Sequence, residues 1–204
     1  LADQLRASGY EIVPWGERAD IGVVHTCTVT READAKSRQM IRRFLRQNPG
    51  AVVAALGCYA QRAADTIARI DGVKLILGNA EKINLVERLR DLENTLASPP
   101  LVARPTPRRE TFRMPWIDSE APVDRRIDLK IQDGCDAMCA FCVIPFARGR
   151  SRSREVGDAV AEAASLARRG ARELVLTGVN LGEYRDGDVD LPALIDRLAE
   201  AAPG

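Results

Sequence analysis

Histidine is nearly missing from this chain, and so is net charge. With one histidine among 204 residues, a zinc site completed by imidazoles has a single donor to draw on, and that residue, His25, lies far from the main group of cysteines. Thirty basic residues oppose 29 acidic ones for a net charge of +1. No global polyelectrolyte character therefore points to nucleic acid, and any RNA site must be a local basic patch. No run of about 18 apolar residues exists, and the N-terminus has no signal-peptide layout. A cytoplasmic protein with no membrane contact is expected. Five cysteines, an odd number without a secretory signal, give no basis for a disulfide framework. The length suits one or two domains. The chain opens on Leu1 rather than Met, inside a helical pattern, and reads as a fragment.

The first part alternates helical and strand patterns. Leu1, Ala2, Leu5 and Ala7 form a short apolar face that stops at Gly9, and Tyr10 to Val13 reads as a strand closed by Pro14. IGVVHT (21–26) is a near-continuous apolar run, as expected of a strand buried on both faces of a parallel sheet. Cys27 follows it. Thr30 is an N-cap, with Glu32 in the first turn of a helix reaching about Gln47. Its inner face is Ala33, Ser37, Met40, Ile41, Phe44 and Leu45, and Asn48-Pro49-Gly50 stops it. AVVAALG (51–57) is the next buried strand, with Cys58 just beyond. A helix over 61–70, a strand over 73–77, a Gly78-Asn79 turn and a helix over 83–92 complete the pattern. This is a doubly wound α/β parallel sheet, and Cys27 and Cys58 both fall at its C-terminal edge.

Residues 93–126 hold six of the eleven prolines and no clear period, so a linker is expected between a domain at 1–92 and one at 127–204. Phe112, Met114, Trp116 and Ile117 are placed to pack it on the second domain. There Ile127, Leu129 and Ile131 alternate with polar partners as a strand ended by Asp133-Gly134. A helix over 156–169, with Val160, Ala163, Ala164 and Ala167 inward, leads to a second strand (173–178) and a second helix (191–201). Strand, helix, strand, helix is the start of a β/α barrel, and two such units cannot close one.

Between Gly134 and that helix, Cys135, Cys139 and Cys142 stand within eight positions. Full protein ligation of a cubic iron–sulfur cluster takes four cysteines. Three thiolates leave one iron open to a small molecule, and open metal positions are where chemistry happens. A structural zinc site and inert core thiols are the other readings of three cysteines this close together.

C-x3-C-x2-C with Phe141 before the last cysteine resembles the signature of radical S-adenosylmethionine enzymes. VIPFARGRSRSR (143–154) after it, and HTCTVTREADAKSRQMIRR (25–43) and ALGCYAQR (55–62) before it, resemble the methylthiotransferase family. The resemblance runs from about Leu1 to Tyr184. It implies a radical S-adenosylmethionine [4Fe-4S] cluster on Cys135, Cys139 and Cys142, with Phe141 shaping the adenine pocket. Cofactor contacts are implied at Thr177, Gly178, Val179 and Asn180. Arg148, Arg152 and Arg154 are candidates to hold the cofactor carboxylate or substrate, since guanidinium suits bidentate anion binding; solvated loop charges are the alternative.

The family carries a second, auxiliary [4Fe-4S] cluster on three N-terminal cysteines. Cys27 and Cys58 match two of them, and the third is expected just before Leu1. His25 stands where the family usually has Asn, and at the end of a buried strand it is expected to be a satisfied core residue. Arg38, Arg42 and Arg46, with Lys36 and Arg43, make a basic helix face for RNA phosphates or simply a solvated face. TCTVT, GCYAQR, KIQDGC and LTGVNLGEY look most like the branch that adds a methylthio group to C2 of N6-threonylcarbamoyladenosine next to the anticodon. The isopentenyladenosine and ribosomal-protein aspartate branches are the near alternatives. The implied partners are a tRNA anticodon stem-loop and a reductant such as flavodoxin or ferredoxin. A non-catalytic binding module with a structural metal is the alternative of another class.

Overall fold

A strand that must bury both its faces has to be apolar along its whole length, and VVAALG is such a strand. The computed structural model describes residues 1–94, 100–105, 112–114, 116, 118 and 120–202. The chain divides into two units, Leu1–Pro107 with Phe141–Arg148, and Arg108–Ala140 with Gly149–Gly204.

The first unit runs α1 (Ala2–Ala7), β1 (Ile21–Thr26), α2 (Arg31–Gln47), β2 (Val52–Gly57), α3 (Cys58–Arg62), α4 (Ala64–Ala68), β3 (Val73–Leu77), a 3-10 turn (Lys82–Asn84), α5 (Leu85–Asn94) and β4 (Leu101–Ala103). The four strands form one parallel sheet in the order β1-β2-β3-β4. Side chains alternate along β2. Val53 and Ala55 join Val24, Ile41, Phe44 and Ile67 on one face, while Ala54 and Leu56 join Leu5, Leu85 and Leu89 on the other. Helices therefore cover both faces, the doubly wound arrangement read from the apolar runs. Thr30 caps α2 as expected, its hydroxyl accepting from the Ala33 N–H at 3.1 Å.

Four local expectations change. Among the described residues, Tyr10–Val13 joins no ladder, because an extended segment becomes a strand only where another backbone meets its hydrogen-bonding groups. The helix expected over 61–70 starts at Cys58 and breaks at Ala63, whose φ of −131° and ψ of 42° are not helical. Met40 is exposed rather than inward. Within the segment read as linker, Leu101–Ala103 pairs with β3. Its proline neighbours hide it, yet they are compatible with a short edge strand.

The second unit contains β5 (Arg126–Lys130), β6 (Gln132–Asp133), β7 (Arg152–Ser153), α7 (Val156–Arg168), β8 (Glu173–Thr177), the pair β9 (Arg185–Asp186) and β10 (Val189–Asp190), and α8 (Leu191–Ala201); the intervening α6 (Ile144–Arg148) belongs to the first unit. β5 pairs β8 in parallel, and β6 pairs β7 antiparallel. Leu129, Ile131, Val156, Ala159, Ala163, Leu166, Leu194 and Leu198 form its core. The buried stripe of α7 is thus Val156, Ala159, Ala163 and Leu166. Of the residues expected inward, Ala163 is buried and Val160 packs half-buried against this core, while Ala164 and Ala167 are only half-buried, because alanines surround this helix and leave its phase open. Phe112 bonds to the Ser153 carbonyl at 3.0 Å, and Met114 N–H and Trp116 Nε1 bond to Asp158 at 2.9 and 3.2 Å. Ile117 lies outside the described residues.

Arg154 is fully buried in this unit. Its guanidinium donates to Asp158 at 2.6 Å and Glu162 at 2.5 Å, and to the Lys130 carbonyl at 3.3 Å. Its own carbonyl accepts from the Tyr184 hydroxyl at 2.8 Å. Burial, and then the Asp186 charge, push that phenol up to about 12. Burial pushes Asp158 up, but the Met114 N–H and the Arg154 guanidinium outweigh it and leave its carboxyl below the usual range. A carboxylate with a depressed folded pKa adds stability above its unfolded value, roughly 3.9, and loses it as pH falls through the folded value. Arg154→Leu should lower the hydrogen-exchange protection of β5 and α7 amides by about 3 kcal/mol at pH 7. The difference from wild type should narrow below about pH 4, as Asp158 protonates.

Candidate metal centre

In the first unit, β1 and β2 run in register with Thr26 opposite Gly57. Cys27 and Cys58 are therefore the next residues of two adjacent parallel strands, about 5 Å apart in backbone spacing. The local sequence enforces this. Thr26 donates its hydroxyl to the Leu56 carbonyl at 2.6 Å and accepts the Ala60 N–H at 3.1 Å, which ties the start of α3 to β1. Gly57 sits at φ +97°, where a Cβ would lie 2.7 Å from the Thr26 carbonyl and 3.3 Å from the His25 ring. The chain can thus turn abruptly into α3 with Cys58 as its first residue. Cys27 is exposed and Cys58 buried. His25 is exposed at this edge rather than a core residue, because β1 is an edge strand with one face of its C-terminal end uncovered.

Asn79 was legible only as a turn residue. It is 4% exposed, and its side-chain nitrogen stands 3.5 Å from Cys58 Sγ. On α2, Arg38 donates to the Tyr59 hydroxyl at 2.6 Å and lies over that ring at 5.6 Å. It is a brace within the unit, whereas Lys36, Arg42, Arg43 and Arg46 are exposed.

In the second unit β5 passes into β6, and Asp133-Gly134 turns the chain out as expected. Gly134 has φ +73°, and a Cβ there would collide with the Arg150 carbonyl and lie 2.7 Å from that of Gly149. Cys135 follows, its N–H on the Gly149 carbonyl at 3.3 Å. Cys135 and Cys142 are half-buried and Cys139 is exposed, and all are free thiols. Met138 between them has φ 49°. Cys142 falls in the Phe141–Arg148 segment, which goes with the first unit. Among the described residues, no three Cys, His, Asp or Glu side chains are gathered closely enough to hold a metal ion. The donor set nevertheless suits iron: three soft, unpaired thiols on one loop that carries no helix or strand between Gly134 and Val143. Phe141 is 92% exposed.

The polar side chain that organises this end of the unit is Gln132, which sequence reading passed over as the polar partner in an alternating strand. It is fully buried. Its Oε1 accepts the N–H groups of Val179 and Asn180 at 2.8 and 2.9 Å. Its Nε2 reaches the carbonyls of Asp133 and Gly134 at 3.1 and 3.0 Å and the Ser151 hydroxyl at 3.0 Å. Gly178 permits the approach, since a Cβ there would stand 2.9 Å from Gln132 Cβ. The loop after β8, with Thr177, Gly178, Val179 and Asn180, is thus bonded to the base of the cysteine loop.

The three arginines separate. Arg154 is consumed by Asp158 and Glu162, so its expected role at a cofactor carboxylate gives way to a structural one. Arg148 ends α6 and is half-buried. Arg152 meets the buried Asp133 carboxylate at 3.2 Å and stacks on Phe112 at 5.1 Å. It lines an open polar cleft of ≈ 630 Å³ with Asp136, Ser151, Ser153, Glu183 and Arg185. Gln132→Leu should strand two half-buried N–H donors and reduce exchange protection around Val179 and Asn180 by about 1 kcal/mol. Gln132→Glu keeps the acceptor but sets a buried carboxylate against the Asp133 and Gly134 carbonyls, so it should lose protection as well.

The family described as "Uncharacterized protein family UPF0004" matches residues 1–78, and the Radical SAM superfamily matches residues 129–203. The chain is 35% identical over 205 residues to the threonylcarbamoyladenosine tRNA methylthiotransferase MtaB of Bacillus subtilis (strain 168), covering 98% of this chain and 44% of that protein. It is 34% identical over 201 residues to the tRNA-2-methylthio-N(6)-dimethylallyladenosine synthase of Solibacter usitatus (strain Ellin6076), covering 96% and 44%. It is 33% identical over 230 residues to the ribosomal protein uS12 methylthiotransferase RimO of Roseiflexus sp. (strain RS-1), covering 100% and 47%. The chain spans less than half the length of each of these relatives. No helix among the described residues is long and apolar enough to cross a membrane. With both regions on one chain and methylthiotransferase relatives matching along nearly all of it, the chain is similar over its length to radical S-adenosylmethionine methylthiotransferases.

Proposed function

We propose that this protein adds a methylthio group to C2 of N6-threonylcarbamoyladenosine, next to the anticodon of tRNA, by radical S-adenosylmethionine chemistry. The observation that carries the reading is the set of three free thiols on the one loop that leaves the Asp133-Gly134 turn. The substrate rests on relatives named for threonylcarbamoyladenosine and on the motifs that resemble that branch. Relatives named for dimethylallyladenosine and for ribosomal protein uS12 make those the competing substrates.

Cys135, Cys139 and Cys142 would ligate three irons of a [4Fe-4S] cluster, and Cys27 and Cys58 would supply two ligands of an auxiliary one. When bound, the first cluster supplies the electron that splits the sulfonium of S-adenosylmethionine. The rest falls to the chain's own side chains. Gln132 holds the Thr177–Asn180 loop, and because it uses the Val179 and Asn180 N–H groups, that loop meets the cofactor through its carbonyls and the Thr177 and Asn180 side chains. Arg152, anchored on Asp133, offers a fixed cation to a carboxylate in the polar cleft. Phe141 offers an aromatic face to the adenine. Lys36, Arg42, Arg43 and Arg46 form the patch for anticodon stem-loop phosphates. A flavodoxin- or ferredoxin-like reductant supplies the electron.

Nucleoside mass spectrometry of tRNA from a deletion strain should show threonylcarbamoyladenosine without its methylthio form. An unchanged methylthio product would refute the substrate, and loss of the isopentenyl or uS12 modification would assign a sister one. Anaerobic reconstitution of the protein should load iron and cleave S-adenosylmethionine, and Cys142→Ser should abolish the cleavage. Tight zinc without iron uptake would identify a binding module instead.

A further inference from the structure

The amide of Asn79 makes two contacts that a turn residue has no need of. Its nitrogen donates to the Ala147 carbonyl at 2.8 Å and stands 3.5 Å from Cys58 Sγ, while the thiol lies 4.0 Å from its Oδ1. The two N–H bonds of one amide thus point to two elements, the start of α3 and the end of α6. Both belong to the first unit. Ala147 is five residues beyond Cys142 and is itself fully buried.

The amide is held from behind. The Asn79 N–H donates to Gln61 Oε1 at 3.0 Å, and Gln61 Nε2 donates to the Arg104 carbonyl at 3.0 Å. Gly78 makes room, since a Cβ there would collide with Gln61 Oε1. Gln61 lies on α3, three residues after Cys58, so one helical turn carries both the sulfur and the side chain that fixes the amide facing it. Sequence spacing alone gives no hint of this arrangement, because the participants come from residues 58–61, 78–79, 104 and 147.

We propose that Asn79 is a positioning residue that joins the two cysteine-bearing elements of this unit, donating one N–H to the Cys58 sulfur and the other to the Cys142-bearing segment through Ala147. This rests on the reading of Cys58 as a ligand of the auxiliary cluster. A donor aimed at a ligand sulfur stabilises the more negative, reduced form of a cluster and raises its potential. A donor on the Ala147 carbonyl fixes the C-terminal end of α6. Because a single planar amide makes both contacts, displacement of α6 and loss of donation to the sulfur are linked. Asn79 also occupies a site that any substitution must fill without these bonds: leucine is close in volume but donates nothing, and aspartate keeps the shape but presents acceptors to both a carbonyl and a sulfur.

The test uses full-length protein reconstituted anaerobically, with Asn79→Leu and Asn79→Asp compared with wild type and with Cys58→Ala. Hydrogen exchange over residues 143–148 in the metal-free protein should be faster in both Asn79 variants. Unchanged exchange there would overturn the link to α6. Potentiometric titration followed by electron paramagnetic resonance should show the auxiliary signal shifted to more negative potential in the Leu variant while iron content stays at the wild-type value. An unshifted potential at full iron content would overturn the donation to sulfur. If wild type holds about four irons rather than about eight, and Cys58→Ala holds as many, then the auxiliary-cluster reading itself has failed. The exchange result still separates that failure from a failure of the α6 link. If the Leu variant melts with wild-type cooperativity, global misfolding is excluded as the source of either change.

Discussion

A buried amide side chain has four hydrogen-bonding positions to fill and no water to fill them, and in this protein that obligation fixes segments that adjoin the cysteines. Gln132 is the clearest instance. Its oxygen takes two successive N–H groups from the loop after β8, and its nitrogen takes carbonyls from the turn that launches the cysteines. A charged residue at this position would require a counter-charge in a fully buried site, and an apolar one would leave the loop amides unpaired. Glutamine is neutral, long enough, and both donor and acceptor. The C-terminal ends of two parallel strands are thereby held as one piece, at the edge where α/β proteins place ligands.

The first unit solves the same problem with backbone register. Parallel pairing of Thr26 with Gly57 makes neighbours of Cys27 and Cys58, which are 31 positions apart in sequence. Register is strongly specified here because both faces of β2 are buried, and a one-residue slip would send Ala54 and Leu56 to the wrong core. The position of the two cysteines is therefore inherited from the same apolar pattern that folds the sheet. Thr26 and Gly57 then refine it, one by capping α3 across the strands and the other by adopting a backbone angle closed to residues with a Cβ.

Much of this was legible in the sequence, for reasons that differ by residue. IGVVHT and VVAALG announced buried parallel strands because nothing else tolerates apolar residues on both sides of a short segment. Thr30 announced its helix because a hydroxyl before an acidic first turn has a local job. The cysteine spacing and Asp133-Gly134 turn were equally local. What stayed hidden was every role that depends on a distant partner. Arg154 looked like Arg152, and only the carboxylates of α7 show that one is buried structure and the other lines a cleft. Arg38 looked like Arg42 until the ring of Tyr59 was placed beside it. Leu101–Ala103 read as linker because its prolines outweighed three apolar residues. Gln132 and Asn79 resembled ordinary polar residues, one in an alternating strand and one in a turn. A polar residue directly before a strand-ending Asp-Gly, following Ile131, was the one available signal for Gln132.

The cysteine loop itself follows from charge. Three thiolates brought within a cluster's span repel one another, and only a metal makes that approach favourable, so under the proposed ligation the loop has no reason to be closed beforehand. Its construction agrees. The stretch from Cys135 to Cys142 is free of helix and strand, its polar Asp136 is tied to the Ser151 N–H at 3.2 Å, and Met138 occupies the left-handed region that a non-glycine residue reaches only at some cost. Each flank is held inside its own unit: the Gln132 bonds hold the turn before Cys135 in the second, and the Asn79 bond to Ala147 holds the helix that follows Cys142 in the first.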